Sequence, residues 1–219
     1  MKEFLNRTAE LALIKSHLGR GVFGYVTGRR RVGKSALLEK ICRDLGGFYH
    51  QAVEGTPQQQ ILHLIEEAAP VLPIFKSVTP RGWSEFFSLL SREKLPPIVV
   101  FDEFPYWAAG DPALPSILQK WIDHELPQTK SLLLISGSSQ SMLHSYLLNQ
   151  AVPLYGRSDV HLNLSPMSYV WFCRALGFPI EDPDSFVRFS LLGGVPHYWR
   201  LLSKGSVLEQ AEALYFAPG

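Results

Sequence analysis

The stretch Gly28–Ser35, GRRRVGKS, places a glycine near each end of a short turn, followed by a lysine and a hydroxyl side chain. Gly28 and Gly33 permit backbone angles that let successive amide hydrogens point at one anion. A helix that begins near Lys34 adds the positive end of its dipole, and the lysine adds a full charge. The Ser35 hydroxyl is able to ligate Mg²⁺. The stretch therefore predicts a site for a phosphate chain and a magnesium ion.

The octet fits the pattern G-x-x-x-x-G-K-[ST], and its flanks support the match. The preceding VFGYVTG is typical of a strand, and the following KSALLEKICRDL places its apolar residues on one helical face. A basic turn that matches by chance is the alternative, which the strand and helix disfavour. Arg29, Arg30 and Arg31 are spacer positions, expected to be solvated or paired locally while attracting polyphosphate generally. The residues assigned to the phosphate site are Gly28, Arg31, Val32, Gly33, Lys34, Ser35 and Ala36.

Two adjacent carboxylates, Asp102 and Glu103, follow the apolar run PPIVVF about 70 residues after the glycine-rich turn. Such a run is typical of a strand buried on both faces, so the carboxylates are expected where a strand ends. Asp102 is predicted to hold Mg²⁺, mostly through water, and Glu103 to act as general base on an attacking water. Without the glycine-rich turn, the pair would indicate a cap after a strand.

Serines follow the next apolar run, SLLLIS, at positions 136, 138 and 139. A hydroxyl there is able to hydrogen-bond a terminal phosphate or the attacking water, and Ser138 is favoured over Ser136 and Ser139. The alternative is that the serines turn the chain and cap a helix. Arg157, in PLYGRSDV, is the candidate for a guanidinium that offsets transition-state charge, in its own subunit or a neighbour's. A surface arginine is the competing interpretation.

Composition limits the partners. Lys and Arg number 21 against 20 Asp and Glu, so the net charge of +1 does not support DNA or anionic lipid as a partner of the whole molecule. Cys42 and Cys173 form no CxxC pair, which favours a reducing, intracellular setting. The N-terminal MKEFLNRTAEL lacks the apolar core of a signal peptide, and no apolar run approaches the ~20 residues of a membrane span. A cytoplasmic protein is expected.

Other chemistry-bearing residues are given structural roles. The seven histidines have no cysteine partners and no HExxH spacing, so helix-face and loop positions are expected for them rather than metal ligation. Tyr106 and Trp107, in PYWAAG, either present a surface to a partner or nucleic acid, or pack against the following helix, which is the commoner outcome.

Apolar runs alternate with helical periodicity over the first three-quarters of the chain, which predicts an α/β fold with helices on the faces of a parallel sheet. The predicted strands are VFGYVTG, FYHQAV, PPIVVFDEF, SLLLIS and VHLNL. After Pro166 the pattern is helical only. The sequence therefore predicts a core over residues 1–165 and a small helical subdomain over 166–219.

Together, these residues resemble the archaeal-type P-loop ATPases of the AAA+/STAND superfamily. The matching stretches are FLNRTAEL, GRRRVGKS, VVFDEF, LLISGSSQSM, PLYGR and LLGGVP, distributed from Phe4 to Pro196. The resemblance implies a three-layer P-loop NTPase sandwich with a five-stranded parallel sheet in the order 5-1-4-3-2 and a C-terminal helical lid. It also implies ATP and Mg²⁺ as cofactors.

The resemblance carries roles to individual positions. Lys34 and Ser35 match the Walker A pair, Asp102 and Glu103 the Walker B pair, Ser138 a sensor, and Arg157 the arginine of a Gly-Arg element. Phe4, Leu5 and Asn6 match residues that pass the adenine, and Gly194 and Pro196 match a glycine-x-proline element that faces the nucleotide.

Three functions remain open at this stage. The first is slow, Mg²⁺-dependent ATP hydrolysis; the second is a switch that holds ATP or ADP tightly and gates a partner without relying on turnover. The third is a nucleic-acid module that uses Arg29 to Arg31. Family members usually continue into a winged helix and an effector domain, whereas this chain stops at Gly219. Either the family's effector is absent, or the chain is a fragment of a longer protein. An effector domain or protein and a second copy of the chain are the candidate partners beside nucleotide.

Overall fold

The computed structural model describes residues 6–138, 145–147, 150, 152–202 and 205–216. The strands are β1 (Val22–Gly28), β2 (Phe48–Gln51), β3 (Ile98–Asp102), β4 (Leu132–Ser136) and β5 (Val160–Leu164). The helices are α1 (Thr8–Ser16), α2 (Lys34–Leu45), α3 (Pro57–Ala68), α4 (Trp83–Leu90), α5 (Phe104–Gly110), α6 (Leu114–His124), α7 (Tyr169–Leu176), α8 (Pro183–Leu192) and α9 (Val207–Tyr215). Short 3₁₀ segments lie at Pro73–Lys76, Leu126–Gln128 and Tyr198–Leu201. The stretch SQSMLHSYLLN, residues 139–149, has the apolar spacing of a helix and lies largely outside the described residues.

The five strands form one parallel sheet in the order β2-β3-β4-β1-β5, which confirms the predicted order 5-1-4-3-2. The register pairs Gln51 with Asp102, Phe101 with Ile135, and Val26 with Ser136. The carboxyl ends of β1, β3 and β4 therefore lie at one edge of the sheet. In open parallel sheets this is the edge where ligands bind.

Helices cover both faces of the sheet, because successive strand residues point to opposite sides. Val99 and Phe101 belong to a buried cluster that includes residues of α3, α4, α5 and α6. Ile98 and Val100, which alternate with them, are equally buried, and α2 contacts β1, β2 and β3. Helix, sheet and helix thus form the three layers that the resemblance implied.

Helix α2 follows the glycine-rich turn directly and positions its first residues. It buries Leu37, Leu38, Ile41 and Cys42, the face predicted from the sequence. Its first turn carries no acidic residue, so nothing within that turn competes with an anion for the helix N-terminus. The α2 N-terminus is therefore suited to phosphate.

Helix α5 was not predicted as a helix. Its proline lies in the first turn, where a missing amide hydrogen is tolerated. Trp107 is fully buried, with ring centroids 4.9 Å from Phe101 and 5.4 Å from His50, whereas Tyr106 is 41% exposed. Trp107 thus has the packing role, and only Tyr106 presents a surface.

The chain divides into two compact units. The first, here the core unit, comprises residues 8–28 and 34–163; the second, here the C-terminal unit, comprises 1–7, 29–33 and 164–219. The C-terminal unit has its own buried cluster, in which Phe172 packs edge-on against Trp199 at 5.4 Å. Nothing in the sequence indicated that residues 29–33 group with the C-terminal part, and the division at 165/166 stays a prediction.

Within the described parts of the chain, no helix is both long and apolar enough to cross a bilayer.

Candidate functional site

The glycine-rich turn has the backbone of an anion cradle. Gly28 and Gly33 adopt φ angles of 143° and 102°, and Arg31 adopts 66°. Positive φ at glycine carries no Cβ penalty, so these two positions explain why glycine stands at both ends of the turn. The Val32 amide donates to the Arg29 carbonyl at 3.3 Å, and the Val32 side chain is buried. Val32 can therefore reach a ligand only through its main chain.

The three arginines of the turn are exposed at its surface. Within the C-terminal unit, the Arg31 guanidinium lies 5.9 Å from the centroid of the Tyr198 ring, a cation–π distance. The buried Arg7 guanidinium donates to the carbonyls of Val32, at 3.2 Å, and Ser165, at 2.9 Å. Arg7 was not selected from the sequence, although it lies in the FLNRTAEL stretch that carried the resemblance.

Lys34 is buried at the first position of α2, and its ammonium donates to the Gly28 carbonyl at 2.9 Å. Burial lowers the pKa of Lys34, while the nearby carboxylates of Glu103 and Asp102 oppose that shift. The structure thus brings together the lysine and the two carboxylates that the sequence selected separately. Ser35 and the exposed Ala36 follow in the same first turn.

The Asp102 carboxylate is fully buried at the end of β3 and is held by three donors. Its Oδ1 accepts from the Glu103 amide at 2.9 Å and from the Ser136 hydroxyl. Its Oδ2 accepts from the Tyr49 hydroxyl at 2.8 Å. Ser136, one of the three candidate serines, is therefore a partner of Asp102 in this structure.

Tyr49, on β2, is a site residue that the sequence analysis missed. Burial and the Asp102 carboxylate raise the pKa of the Tyr49 phenol, and a hydrogen bond with Ser35 partly opposes them. Tyr49 is thus bonded to one proposed magnesium ligand, Asp102, and its phenol is influenced by the other, Ser35. No motif marks it; the only signal was its place in the strand FYHQAV, which the sheet order puts beside β3.

Glu103 is the N-terminal flanking residue of α5 and adopts the left-handed conformation, with φ 56° and ψ 34°. Its Oε2 accepts from the Ser138 amide at 2.9 Å, and its Oε1 accepts from the Ser138 hydroxyl. The favoured serine therefore orients the proposed base. Ser139 lies outside the described residues.

Among the described non-glycine residues, positive φ occurs at Asn6, Arg7, Arg31 and Glu103, at 55°, 77°, 66° and 56°. Each such residue carries backbone strain of about 1–3 kcal/mol, and such strain concentrates at functional sites. All four lie in or beside stretches that the sequence analysis assigned to nucleotide. The strain is thus placed where a ligand is expected.

The hydrogen bonds described for Arg157 are with other residues of the core unit. Its Nε lies 2.8 Å and 3.1 Å from the two carboxylate oxygens of Asp123, and its Nη1 donates to the carbonyls of Pro153 and Tyr155. The Arg157 hydrogen bond lowers the pKa of Asp123. In this structure the side chain fastens the 153–157 loop to α6.

The remaining assigned positions lie in the C-terminal unit. Phe4 and Leu5 lie outside the described residues, whereas Asn6 and Pro196 are partly exposed. A Cβ on Gly194 would lie 2.0 Å from the Met167 carbonyl oxygen, and the Gly194 carbonyl accepts from the Met167 amide at 2.7 Å. Glycine is therefore required at 194 for packing, whatever its relation to a ligand.

Known proteins share this fold. The Walker-type ATPase PABY2304 of Pyrococcus abyssi superposes with a TM-score of 0.69 at 20% identity, over 96% of this chain and 72% of that one. The ORC2 protein of Aeropyrum pernix, solved as ADPNP–ADP complexes, gives 0.63 at 15% identity, over 99% and 69%. At these identities the likeness concerns the fold.

Sequence comparison shows the family of the chain as well as its fold. An uncharacterised protein of Methanocaldococcus jannaschii, MJECL04, is 30% identical over 198 residues, which are 89% of this chain and 43% of that protein. This chain thus spans less than half of that relative's length. Residues 4–201 match the sequence profile of a family described as an ATPase domain found predominantly in archaea. Because that match covers nearly the whole chain, the protein belongs to this family of archaeal-type ATPase domains.

Proposed function

We propose that this domain binds Mg²⁺-ATP and hydrolyses it slowly, so that nucleotide occupancy acts as a switch or motor. The observation that supports this most directly is the buried Lys34 ammonium beside the Asp102 and Glu103 carboxylates, at the carboxyl edge of the sheet. Family membership supports an ATPase domain in general. The roles of individual residues, the metal and the switch are the proposal.

The donor set suits magnesium. The Ser35 hydroxyl and the Asp102 carboxylate offer oxygen, which Mg²⁺ prefers, and Tyr49 donates a hydrogen bond to Asp102. Mg²⁺, when bound, draws charge from the β and γ phosphates and so lowers the barrier to transfer. Ser35 is proposed as a direct ligand and Asp102 as a ligand through water.

This chain's own groups supply the rest. The amides of residues 28–36 and the Lys34 ammonium are proposed to bind the phosphates, and the exposed Arg31 guanidinium is proposed to add positive charge. Glu103 takes a proton from the attacking water as the new bond to the γ-phosphorus forms. The bond to the bridging oxygen then breaks, and ADP leaves with that electron pair. Ser138 holds Glu103 in place.

The remaining proposed roles belong to residues outside the core unit or require a side chain to change its contacts. Asn6, Phe4 and Pro196 are proposed to contact the base or sugar, and residues 166–219 to form the lid. Arg157 is proposed to stabilise transition-state charge, which requires that it leave Asp123. Release of ADP would complete the cycle. An effector on further polypeptide, or a second copy of the chain, is the proposed partner. A cytoplasmic location remains a prediction.

The decisive experiment measures phosphate release and ATP affinity together. Glu103→Gln is expected to lower phosphate release by about 10²- to 10⁴-fold, the contribution typical of a general base, while ATP affinity stays within a few-fold. Glu54→Gln, which removes an exposed carboxylate before α3, is the matched control and should change neither quantity. Equal turnover in wild type and Glu103→Gln would refute the proposed base.

A second candidate, a switch that does not rely on turnover, is favoured by one observation. Both Glu103 oxygens already accept hydrogen bonds from Ser138, and a base engaged in this way is less available to a water. Tight ATP binding by the wild type with no phosphate release above background would select this function. DNA as a ligand is not supported by the net charge of +1, although one similar structure is the ORC1 protein of Aeropyrum pernix in complex with DNA.

A further inference from the structure

A second group of chemistry-bearing side chains lies within the core unit, between β2 and α3. His50, His63 and Glu67 each offer one donor atom, and these atoms all lie within 4.8 Å of one another. His50 Nδ1 lies 2.6 Å from Glu67 Oε2, and His63 Nε2 lies 3.7 Å from Glu67 Oε1. The proposed ATPase chemistry uses none of the three.

The fold fixes one of these residues and leaves the other two adjustable. His50 is almost fully buried on β2, stacked on Trp107 at 5.4 Å and edge-on to His63 at 5.2 Å. His63 and Glu67 stand one helical turn apart on α3, and their side chains are 44% and 46% exposed. A rigid imidazole thus faces an i, i+4 pair that can close around a small ligand.

Hydrogen bonding leaves two atoms of the group unexplained. His50 Nε2 and His63 Nδ1 are both buried, and neither has a hydrogen-bond partner within the described part of the chain. Buried polar atoms normally have one. These two nitrogens are not the ones nearest Glu67, so a ligand bound among the three side chains would meet His50 Nδ1 and His63 Nε2 instead.

We propose that His50 Nδ1, His63 Nε2 and a Glu67 carboxylate oxygen form a binding site for a divalent transition metal of the zinc class. Imidazole and carboxylate are common zinc ligands, with bond lengths near 2.0–2.2 Å. Neighbouring ligands in a tetrahedron of that size lie about 3.3 Å apart, which is comparable to the 2.6 Å from His50 Nδ1 to Glu67 Oε2 and the 3.7 Å from His63 Nε2 to Glu67 Oε1. The partly exposed side chains of His63 and Glu67 can adjust towards that geometry, and solvent can supply the fourth ligand.

The site differs in kind from the magnesium site. Mg²⁺ takes hard oxygen ligands and competes poorly for imidazole, whereas zinc and cobalt prefer it. Excess Mg²⁺ therefore occupies the phosphate site while leaving the histidines accessible. A metal here would tie β2, which carries Tyr49, to α3.

The test is a titration of the 219-residue protein with Zn²⁺ by calorimetry and with Co²⁺ by visible absorption, in excess Mg²⁺. We expect one equivalent to bind, with the intense visible bands of tetrahedral cobalt. His63→Ala and Glu67→Gln change exposed side chains and should fold normally, and each is expected to weaken binding at least 10- to 100-fold. Glu66→Gln removes the neighbouring exposed carboxylate of α3 and should bind like wild type.

Tryptophan emission locates the metal independently. Because the Trp107 ring stacks on His50, bound Co²⁺ is expected to quench part of the emission in wild type and in Glu66→Gln, but not in His63→Ala at the same concentration. Absence of binding by the wild type, or equal affinity and equal quenching in wild type and His63→Ala, would overturn the proposal. Neither readout depends on nucleotide.

Discussion

At the scale of single residues, the position of Asp102 is set by its neighbours. A fully buried carboxylate is unfavourable unless donors surround it, and here the Tyr49 hydroxyl, the Ser136 hydroxyl and the Glu103 amide do so. Tyr49 is the donor from β2, and a hydrogen bond with Ser35 also influences the pKa of its phenol. We therefore infer that Tyr49 positions the proposed magnesium ligands without taking part in the chemistry.

Tyr49→Phe tests that role. Loss of one donor to a buried carboxylate should lower the free energy of unfolding by about 1 kcal/mol. Because the ligand is then less well oriented, the Mg²⁺ concentration for half-maximal nucleotide binding or turnover should rise by about tenfold or more. Titrations of Mg²⁺ at fixed ATP measure the shift.

Tyr106→Phe is the matched control, since Tyr106 is exposed on α5 next to the site. It should leave both quantities unchanged. An unchanged or lower Mg²⁺ requirement in Tyr49→Phe would show that the phenol does not position Asp102.

At the scale of secondary-structure elements, Gly194 shows how a motif residue acquires a packing role. The main chain after α8 passes so close to Met167 that a Cβ would lie 2.0 Å from its carbonyl oxygen. The Met167 carbonyl belongs to the main chain and cannot move aside as a flexible side chain would. The hydrogen bond from the Met167 amide to the Gly194 carbonyl holds the two segments close together. Glycine at position 194 is thus a requirement of the C-terminal unit itself.

Gly194→Ala is therefore expected to lower the free energy of unfolding of the C-terminal unit by about 2 kcal/mol or more, as overpacking against backbone does. Denaturation followed through Trp171 and Trp199, which lie in that unit, measures it. Gly55→Ala, whose Cβ would meet only ordinary contacts of 3.5–3.9 Å, should change stability by less than about 1 kcal/mol. Similar losses in the two variants would contradict the packing argument.

The link between α6 and the 153–157 loop predicts a pH dependence. The Arg157 hydrogen bond lowers the pKa of the Asp123 carboxyl. Asp123 therefore stabilises the folded state above its unfolded pKa of about 3.9, and this contribution is lost as the pH falls through the lower folded value. The pair is partly exposed, so it contributes about 1 kcal/mol or less.

Asp123→Asn should accordingly be less stable than wild type in urea at pH 7, with a difference that shrinks towards zero under strongly acidic conditions. Glu125→Gln, an exposed change at the end of the same helix, is the control and should show no such convergence. A difference for Asp123→Asn that is the same at both pH values would mean that the charge of Asp123 is not what matters.

At the scale of the whole molecule, nucleotide binding should stabilise the fold by mass action. A ligand at a hundred times its dissociation constant adds about 2.7 kcal/mol. For a chain of this length that corresponds to a rise in Tm of about 5–10 °C. Differential scanning fluorimetry with Mg²⁺ and ATP measures the rise directly.

Lys34→Ala should abolish that shift, because it removes the ammonium proposed to bind the phosphates, whereas Lys130→Ala, an exposed lysine, should retain it. The comparison uses the shift caused by ATP, so a change in the starting Tm of either variant does not affect it. A shift of the same size in Lys34→Ala and wild type would place nucleotide elsewhere.

The sequence by itself determined the local chemistry and the elements. Glycines at 28 and 33 with Lys34 and Ser35 predicted the phosphate turn, because backbone freedom and helix position depend on nearby residues. Hydrophobic periodicity predicted the strands and α2 to within a few residues, because this pattern also depends on residues that are near in sequence. The strand order came from the resemblance to a known family. Helix α5 was missed because Pro105 and a run of aromatic residues are not typical of a helix.

The tertiary structure alone decided which side chains meet. Tyr49 joins Asp102, Ser138 joins Glu103, Arg157 joins Asp123, and His50 joins Glu67 over separations of 17 to 53 residues. Such contacts depend on which strands are neighbours and in what register, and these follow from the packing of the whole sheet with its helices. Periodicity indicates the face on which a residue lies, but it cannot name the residue that lies opposite.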